Sequence, residues 1–460
     1  MFFRQYFLGC LAHASYLIGS DGVACVVDPQ RDVKEYIEDA EREGLTIKYI
    51  FESHLHADFV SGHRELAEAT GAKIVYSEKA RAQFEHLAVA DGEVLTLGQL
   101  QIQILATPGH TPESICLLVS EKGSGEPARV LTGDTLFIGD VGRPDLVGKY
   151  GFSSVQMAEM LYDSLHQKLL TLPDETLVYP AHGAGSLCGK NISTERFSTI
   201  GIQRKFNWAL APMTREKFVD LLVSDLPEVP AYFGLAVETN RAGARALSEL
   251  LKPAQITAAD LSASTTILDV RSATAFCSGH WPGSINIGLD GQFASWCGTI
   301  LAAGESIIIV CDQAKQADEA VLRLARAGLE GIAGYIFAAD LPRERLVHIK
   351  EVTVTELSEL LAGKNPPQVI DVRRSAEYRG GHVPGAKNFP LSEIEKNIAT
   401  IDSATATAVI CQGGYRSGIA VSLLKKNGFA GQIINVKGGT QAWRKEELPV
   451  QGDKLTACSG

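Results

Sequence analysis

Histidine and aspartate side chains recur in the first half of the sequence at spacings that suit metal binding. Each follows an apolar run that is typical of a β-strand. The candidate ligands are His54, His56, Asp58, His110, Asp134 and His182. Imidazole and carboxylate groups are the usual protein ligands of zinc and iron, and a rigid strand end presents them better than a mobile loop does. Because one buried histidine alone is more often structural, the combination of these residues is what predicts a metal site.

A second candidate site lies near the end of the chain, between the apolar run TAVI and a helix-like pattern. Its residues are Cys411, Gln412, Gly413, Gly414, Tyr415, Arg416 and Ser417. A cysteine at a strand–helix junction faces converging N–H groups and a helix N-terminus, which stabilise a thiolate. The glycines let the backbone curl inward, and Arg416 adds a positive charge that can hold an oxyanion. The loop therefore predicts a nucleophilic cysteine in an anion-binding cradle.

An internal repeat contains this cysteine loop. The stretch ILDVRSATAFCSGHWPGSINI at 267–287 matches VIDVRRSAEYRGGHVPGAKNF at 369–389. Each copy continues through an apolar strand into a helix-like segment, which predicts a small α/β domain with a parallel sheet. The first copy keeps Cys311 at its strand end but has neither glycine nor arginine in the following loop. Asp312 beside the sulfur disfavours a thiolate, so we expect this middle domain to be catalytically silent.

The remaining sequence predicts the elements that position the first site. Strand-like runs occur at ACVVDP, IKYIFES, AKIVYS, LQIQILATPGH, ARVLTGDTLF and TLVYPAHG. The stretches TREKFVDLLVSDL and NRAGARALSELL are typical of closing helices. We therefore expect domains at 1–250, 251–347 and 348–460.

The overall composition limits the classes of protein and partner. The chain has 460 residues, of which 45% are hydrophobic and 21% are charged, as in ordinary globular proteins of about two to four domains. A net charge of −11 without a basic stripe argues against nucleic acid or a membrane as partner. Nine scattered cysteines favour reduced thiols and a cytoplasmic location. The apolar N-terminal stretch contains Arg4 and runs into a strand, so we interpret it as part of the fold rather than a signal peptide.

The first domain resembles the metallo-β-lactamase superfamily through its motifs H-x-H-x-D, T-P-G-H-T, T-G-D and P-A-H-G. The longer stretches HLHADFVSGH, TPGHTPESICLLV and TGDTLFIGDVGRPDL are similar to the persulfide dioxygenase branch. The resemblance implies an αββα sandwich and one Fe(II) per chain, held by His54, His110 and Asp134. It also implies oxidation of a small-molecule persulfide, of glutathione or coenzyme A type, by O2 to sulfite and a free thiol.

Phe59 stands where two-metal members of that superfamily have the last histidine of the first motif. A phenyl ring has no lone pair for a metal, so a second ion should bind weakly or not at all. His56, Asp58 and His182 would then orient the ligands or water. The alternative is Zn²⁺ bound with the help of His56, in a thioester hydrolase that resembles glyoxalase II.

Both repeats resemble rhodanese domains, which implies three-layer α/β/α folds with parallel sheets. The second copy has the full set of motifs, so Cys411 is expected to carry sulfane sulfur between sulfite and thiosulfate. Arg143 is a candidate contact for the carboxylate of a thiol cofactor, although a structural turn residue held by its own salt bridge fits the same sequence. A binding protein with decayed catalytic sites stays open as a third class, and a homo-oligomer is possible.

Overall fold

The structure, a computed structural model, describes residues 1–146, 151–224, 226, 229–230, 232–262 and 265–452. They form two compact units, one of residues 1–250 with 324–329 and the other of residues 251–323 with the chain from 330 onward. Residues 453–460 of the predicted third domain lie outside the described residues.

Two six-stranded sheets make up the first unit, in the orders β1-β2-β3-β4-β5-β6 and β12-β11-β10-β9-β8-β7. The strands of the first sheet are β1 Phe2–Leu8, β2 His13–Ser20, β3 Val23–Val27, β4 Thr46–Phe51, β5 Lys73–Ser77 and β6 Leu87–Val89. Those of the second are β7 Val94–Leu97, β8 Leu100–Ala106, β9 Ile115–Glu121, β10 Arg129–Gly133, β11 Leu177–Pro180 and β12 Ser198–Thr199. Their inner faces share one apolar core, because side chains of both sheets alternate toward it.

Helices cover the outer face of each sheet. They are α1 Lys34–Arg42, α2 His63–Thr70, α3 Ser154–Ser164, α4 Ile200–Phe206, α5 Arg215–Val223, α6 Phe233–Ala242 and α7 Leu247–Leu250. Tyr36 of α1 and Leu66 of α2 pack on the first sheet, whereas Leu161 of α3 and Phe218 of α5 pack on the second. These layers confirm the αββα sandwich predicted from the sequence.

The N-terminal stretch forms the antiparallel pair β1–β2 at the edge of the first sheet. It is therefore part of the fold. The second expected closing helix is interrupted, because Gly243 adopts a φ of 89° between α6 and α7. Within the described residues, no helix is long and apolar enough to cross a lipid bilayer.

The second unit contains two parallel sheets, in the orders β14-β13-β15-β16 and β17-β21-β20-β18-β19. The strands are β13 Thr266–Asp269, β14 Ile285–Asn286, β15 Ile307–Cys311, β16 Ile332–Phe337, β17 Lys350–Val352, β18 Gln368–Asp371, β19 Lys387–Asn388, β20 Thr407–Ile410 and β21 Ile433–Val436. The central strands are continuous apolar runs, as expected where helices cover both faces. The parallel sheets predicted for both repeats are confirmed.

The helices that follow residue 250 connect these strands. They are α8 Ala273–Ser278, α9 Phe293–Ile300, α10 Ala314–Arg326, α11 Val354–Leu361, α12 Ser375–Arg379, α13 Ile394–Asn397, α14 Tyr415–Lys426 and α15 Gly439–Lys445. β15 ends at Cys311 and β20 ends just before Cys411, so equivalent strands present the two cysteines.

Candidate metal centre and cysteine loop

The ends of four strands deliver the candidate metal ligands to one edge of the sandwich. His54 follows β4, His110 follows β8, Asp134 follows β10 and His182 follows β11. β10 and β11 are parallel neighbours, and parallel strands end at the same edge of a sheet. Side chains from distant parts of the sequence therefore meet there.

His54, His110 and Asp134 form one group, in which the potential ligand atoms all lie within 4.8 Å of one another. The Nε2 atom of His110 is 3.3 Å from Asp134 Oδ2, and that of His54 is 3.9 Å away. All three side chains are buried. Within the described residues, no hydrogen bond satisfies the Nε2 atom of either histidine. Buried polar atoms without a partner are costly, so the three residues fit a bound metal ion.

Hydrogen bonds on the far side of each imidazole turn its Nε2 toward this group. Ser53 Oγ lies 2.9 Å from His54 Nδ1, and the main-chain carbonyl of Arg143 lies 2.9 Å from His110 Nδ1. Gly133 lets Ser53 take this position, because a Cβ at Gly133 would stand 2.7 Å from Ser53 Oγ and its φ is +49°. Such outer contacts fix ring orientation in metal sites.

Burial sets the protonation of the group. It lowers the pKa of His110 to about 4, and it lowers the pKa of His54 well below the usual range, with His56 adding to the effect. Burial raises the pKa of Asp134 well above its usual value, and the nearby Asp58 carboxylate raises it further. A cation in the middle would favour the ionised carboxylate, and neutral imidazoles have the lone pairs that it requires.

His56 falls in a different group, with Asp28 and Glu52. Its Nε2 atom is 3.1 Å from Asp28 Oδ1 and 3.5 Å from Glu52 Oε2. Asp28 in turn accepts a hydrogen bond from the main-chain N–H of Ser53, which precedes His54. His56 therefore lies beside the His54 group. Through Asp28 it is linked to the main chain of Ser53, the residue before His54.

Asp58 and His182 form a third group together with Cys188. His182 Nε2 is 3.3 Å from Asp58 Oδ2 and 3.5 Å from Asp134 Oδ1, so this group adjoins the first one. Sequence reasoning overlooked Cys188, because a lone cysteine in a loop after the His182 motif has no spaced partner to mark it.

Phe59 lies beside these groups and is completely buried. Its ring centroid is 4.2 Å from that of His13 and 4.5 Å from that of His56. The apolar ring therefore occupies space among imidazoles, where a histidine at the same position would add a ligand. Sequence reasoning also overlooked His13, which opens β2.

Arg143 is buried, at 3% exposure, and its guanidinium is already engaged. It donates to both carboxylate oxygens of Asp145, at 2.7 and 2.8 Å, and to the carbonyl of Leu187. Together with the contact of its carbonyl to His110, this geometry supports the structural interpretation of Arg143 over a contact with substrate.

The Cys411 loop curls around the sulfur as its glycines suggest. The N–H of Gly414 donates to Cys411 Sγ at 3.1 Å, and Gly414 has a φ of 100°. The side chain of Gln412 accepts from Thr440 Oγ1 at 3.1 Å and lies 3.4 Å from Arg373 Nη1. Cys411 lies four residues before the first residue of α14, and the main-chain N–H of Gly414, the residue that caps this helix, points at its sulfur.

The loop of the middle domain is built differently. Gln316 Oε1 accepts from the main-chain N–H groups of Asp312 and Gln313, at 2.8 and 3.1 Å. Burial, reinforced by the Asp312 carboxylate, raises the pKa of Cys311 to about 11. The thiol is therefore protonated near neutral pH, and the amides that could cradle an anion already have a partner.

Family models match most of the chain. The model of the metallo-beta-lactamase superfamily matches residues 8–182. The model of the rhodanese-like domain matches twice, at residues 251–336 and 353–446.

Two curated relatives each cover less than half of the chain. Persulfide dioxygenase ETHE1, mitochondrial, of Bos taurus is 30% identical over 197 residues, which are 42% of this chain and 72% of that protein. Hydroxyacylglutathione hydrolase cytoplasmic of Arabidopsis thaliana is 34% identical over 49% of this chain and 81% of its own.

One solved structure extends over most of the chain. The crystal structure of a metallo-beta-lactamase from Staphylococcus aureus subsp. aureus COL is 34% identical, covers 73% of this chain and 98% of its own, and gives a TM-score of 0.66.

Proposed function

The chain belongs to the metallo-beta-lactamase superfamily, carries two rhodanese-like domains and is homologous to persulfide dioxygenase ETHE1, and on this premise we propose that it is a bifunctional sulfur enzyme. The first domain oxidises the terminal sulfur of a small thiol persulfide. One persulfide, one O2 and one water give one thiol and one sulfite. The third domain then transfers sulfane sulfur through Cys411.

The observation that carries this proposal is the unequal set of ligands. His54, His110 and Asp134 form a complete group of two imidazoles and one carboxylate, the donor set of many mononuclear iron oxygenases. When bound there, a single Fe(II) supplies the redox chemistry by which O2 reacts with sulfur. Phe59 takes the place of a ligand for a neighbouring ion.

The surrounding residues keep this set in position. Ser53 and the Arg143 carbonyl orient the two imidazoles, and His56 is directed toward Asp28. Next to this set lies the group of Asp58, His182 and Cys188. We propose that these polar side chains contact the thiol-containing substrate when it binds beside the metal.

Cys411 performs the transfer step. Its thiolate accepts the outer sulfur of a persulfide or of thiosulfate, and the donor leaves as a thiolate or as sulfite. In the opposite direction, sulfite attacks the outer sulfur of the Cys411 persulfide, a new S–S bond forms, the old one breaks, and thiosulfate and the Cys411 thiolate result. The product of the first domain is therefore a substrate of the third.

The second candidate is a zinc-dependent thioester hydrolase with attached sulfurtransferase domains. The similarity to a hydroxyacylglutathione hydrolase and the retention of Asp58 and His182 favour it. This enzyme would use water instead of O2, with zinc lowering the pKa of the bound water.

Metal analysis and O2 uptake distinguish the two candidates. The full chain is purified without oxygen, its iron and zinc are measured, and O2 uptake is followed with glutathione persulfide. About one iron per chain and persulfide-dependent O2 uptake with sulfite release are expected. Stoichiometric zinc, with thioester hydrolysis that does not depend on O2, would establish the hydrolase instead.

A Cys411→Ser variant tests the coupling of the two domains. The variant should still consume O2 and release sulfite, because Cys411 lies outside the metal centre. Thiosulfate should no longer form, because the attacking thiolate is absent. If thiosulfate formation survives, Cys411 does not transfer the sulfur.

A further inference from the structure

The middle domain contacts the active loop of the third domain through Tyr415. The Tyr415 hydroxyl donates to the main-chain carbonyl of Gly288 at 2.9 Å. A Cβ added at Gly288 or Gly291 would lie 3.7 or 3.6 Å from the tyrosine ring. The segment 288–291 of the middle domain therefore runs alongside the ring.

The acceptor segment is itself held firmly. Arg323 of the middle domain donates to the carbonyls of Leu289 and Gly291, at 2.5 and 2.8 Å. The N–H of Leu289 donates to the carbonyl of Val270 at 3.1 Å. On the other side of Gly288, the N–H of Ile287 donates to the carbonyl of Asp269 at 3.0 Å. Because these bonds hold the residues before and after Gly288, they fix the position of the Gly288 carbonyl.

Further along, α14 docks on the same domain. A Cβ at Gly418 would lie 2.6 Å from Ala273 Cβ, so the helix and α8 approach closely at this glycine. The N–H of Asn286 donates to Ser422 Oγ at 3.0 Å. The helix that begins at Tyr415 thus rests on the middle domain, with Tyr415 at the end nearest to Cys411.

We propose that Tyr415 is a positioning residue through which the catalytically silent middle domain holds the Cys411 loop in its anion-binding shape. This inference rests on the proposed sulfurtransferase activity of Cys411. Tyr415 directly follows Gly414, whose N–H donates to Cys411 Sγ. Anchoring Tyr415 therefore restrains the neighbouring peptide group whose N–H reaches the sulfur.

The chemistry of the tyrosine suits this role. Burial raises the pKa of the Tyr415 phenol far above its usual range, so the hydroxyl stays protonated and remains a donor. A loop that is less anchored spends less time in the competent shape, and its apparent affinity falls by that fraction. The anchor should therefore act on anion binding and leave the chemistry of the bound complex unchanged.

A Tyr415→Phe variant of the full chain removes only the hydroxyl. Loss of one neutral hydrogen bond corresponds to a change of about three- to ten-fold. We expect amide hydrogen exchange of residues 412–417 to accelerate by about this factor. In the thiosulfate:cyanide assay, the KM for thiosulfate should rise by a similar factor while kcat is retained.

Two matched variants identify the cause. Tyr378→Phe removes a tyrosine hydroxyl that donates to the Ala386 carbonyl inside the third domain. Ser422→Ala removes a contact with the middle domain that lies farther along α14. Both should leave the exchange of residues 412–417 and the KM for thiosulfate as in the wild type.

Each outcome decides a separate question. Wild-type exchange and KM in Tyr415→Phe would overturn the anchor, and so would an equal effect of either control variant. If the wild-type chain does not turn over thiosulfate, the proposed transfer function fails. Hydrogen exchange then still shows whether Tyr415 restrains the loop.

Discussion

The guanidinium of Arg416 forms two parallel hydrogen bonds with the carboxylate of Glu377, at 2.8 and 2.7 Å. This bidentate pair fixes the arginine that closes the cysteine loop. It also neutralises the positive charge expected to attract an oxyanion. The proposed anion cradle would therefore rely more on main-chain N–H groups than the sequence alone suggested.

A Glu377→Gln variant should lower the KM for thiosulfate, by about three- to ten-fold at low ionic strength. Glutamine has nearly the same shape and keeps one acceptor for Arg416, but it no longer cancels the positive charge. Steady-state kinetics at low and high salt would show a gain that fades as salt screens the charge. Glu359→Gln makes the same change of net charge on the exposed side of α11 and should have little effect. An unchanged or higher KM in Glu377→Gln would show that Arg416 does not attract the anion.

A Phe59→His variant should bind a second metal ion. The new imidazole would replace the Phe59 ring, which packs on His13 and His56. It would add a ligand next to the group of Asp58, His182 and Cys188, whose ligand atoms lie within 4.8 Å of one another. Metal analysis should show an increase from about one to about two ions per chain, because three or four ligands suffice for zinc. Phe59→Leu keeps an apolar side chain and should retain the wild-type metal content. An unaltered content in Phe59→His would mean that this ring is not what excludes the second ion.

A Cys311→Ser variant should retain full thiosulfate turnover. The Cys311 thiol is protonated near neutral pH, and Gln316 occupies the amides of its loop. The thiosulfate:cyanide assay on Cys311→Ser and Cys411→Ser measures the two cysteines side by side. A loss of more than about half of the activity in Cys311→Ser would contradict a silent middle domain.

His280 should make the stability of the middle domain depend on pH. Burial lowers the pKa of its imidazole from 6.5 to about 4, and its ring stacks on Phe276 at 3.8 Å. Between about pH 4 and pH 6.5, the unfolded chain therefore binds a proton at His280 that the folded chain does not bind. The contribution of His280 is complete above pH 6.5 and is lost as the pH falls toward 4.

Urea unfolding at pH 7.5 and pH 5 measures this contribution. The free energy of unfolding should drop between the two pH values by about 2 kcal/mol more in the wild type than in His280→Asn. Equal drops in His280→Asn and the wild type would show that His280 does not carry the effect.

The sequence predicted the strands that end at the candidate metal ligands, because polar residues follow those apolar runs directly. It did not predict β1 and β2. β2 is buried along its whole length, so it lacks the alternation of apolar and polar residues that marks a half-buried strand. The interruption at Gly243 was overlooked for a related reason, since the apolar pattern continues across it.

The candidate metal ligands were recognisable from motif spacing, whereas their neighbours were not. His13, Asp28 and Cys188 each stand alone in the sequence, and only the fold brings them to the site. The pairing of Arg416 with Glu377 was equally hidden, because nothing in the spacing of the two residues points to a contact.

The contact between Tyr415 and the middle domain has a consequence for sequence divergence. The acceptor is the main-chain oxygen of Gly288, which no exchange of side chains removes. A domain that stabilises its neighbour through a main-chain group keeps this role even when the side chains of its own cysteine loop change. Because the contact does not depend on the side chain at position 288, a duplicated domain without an active-site motif can still be retained for it.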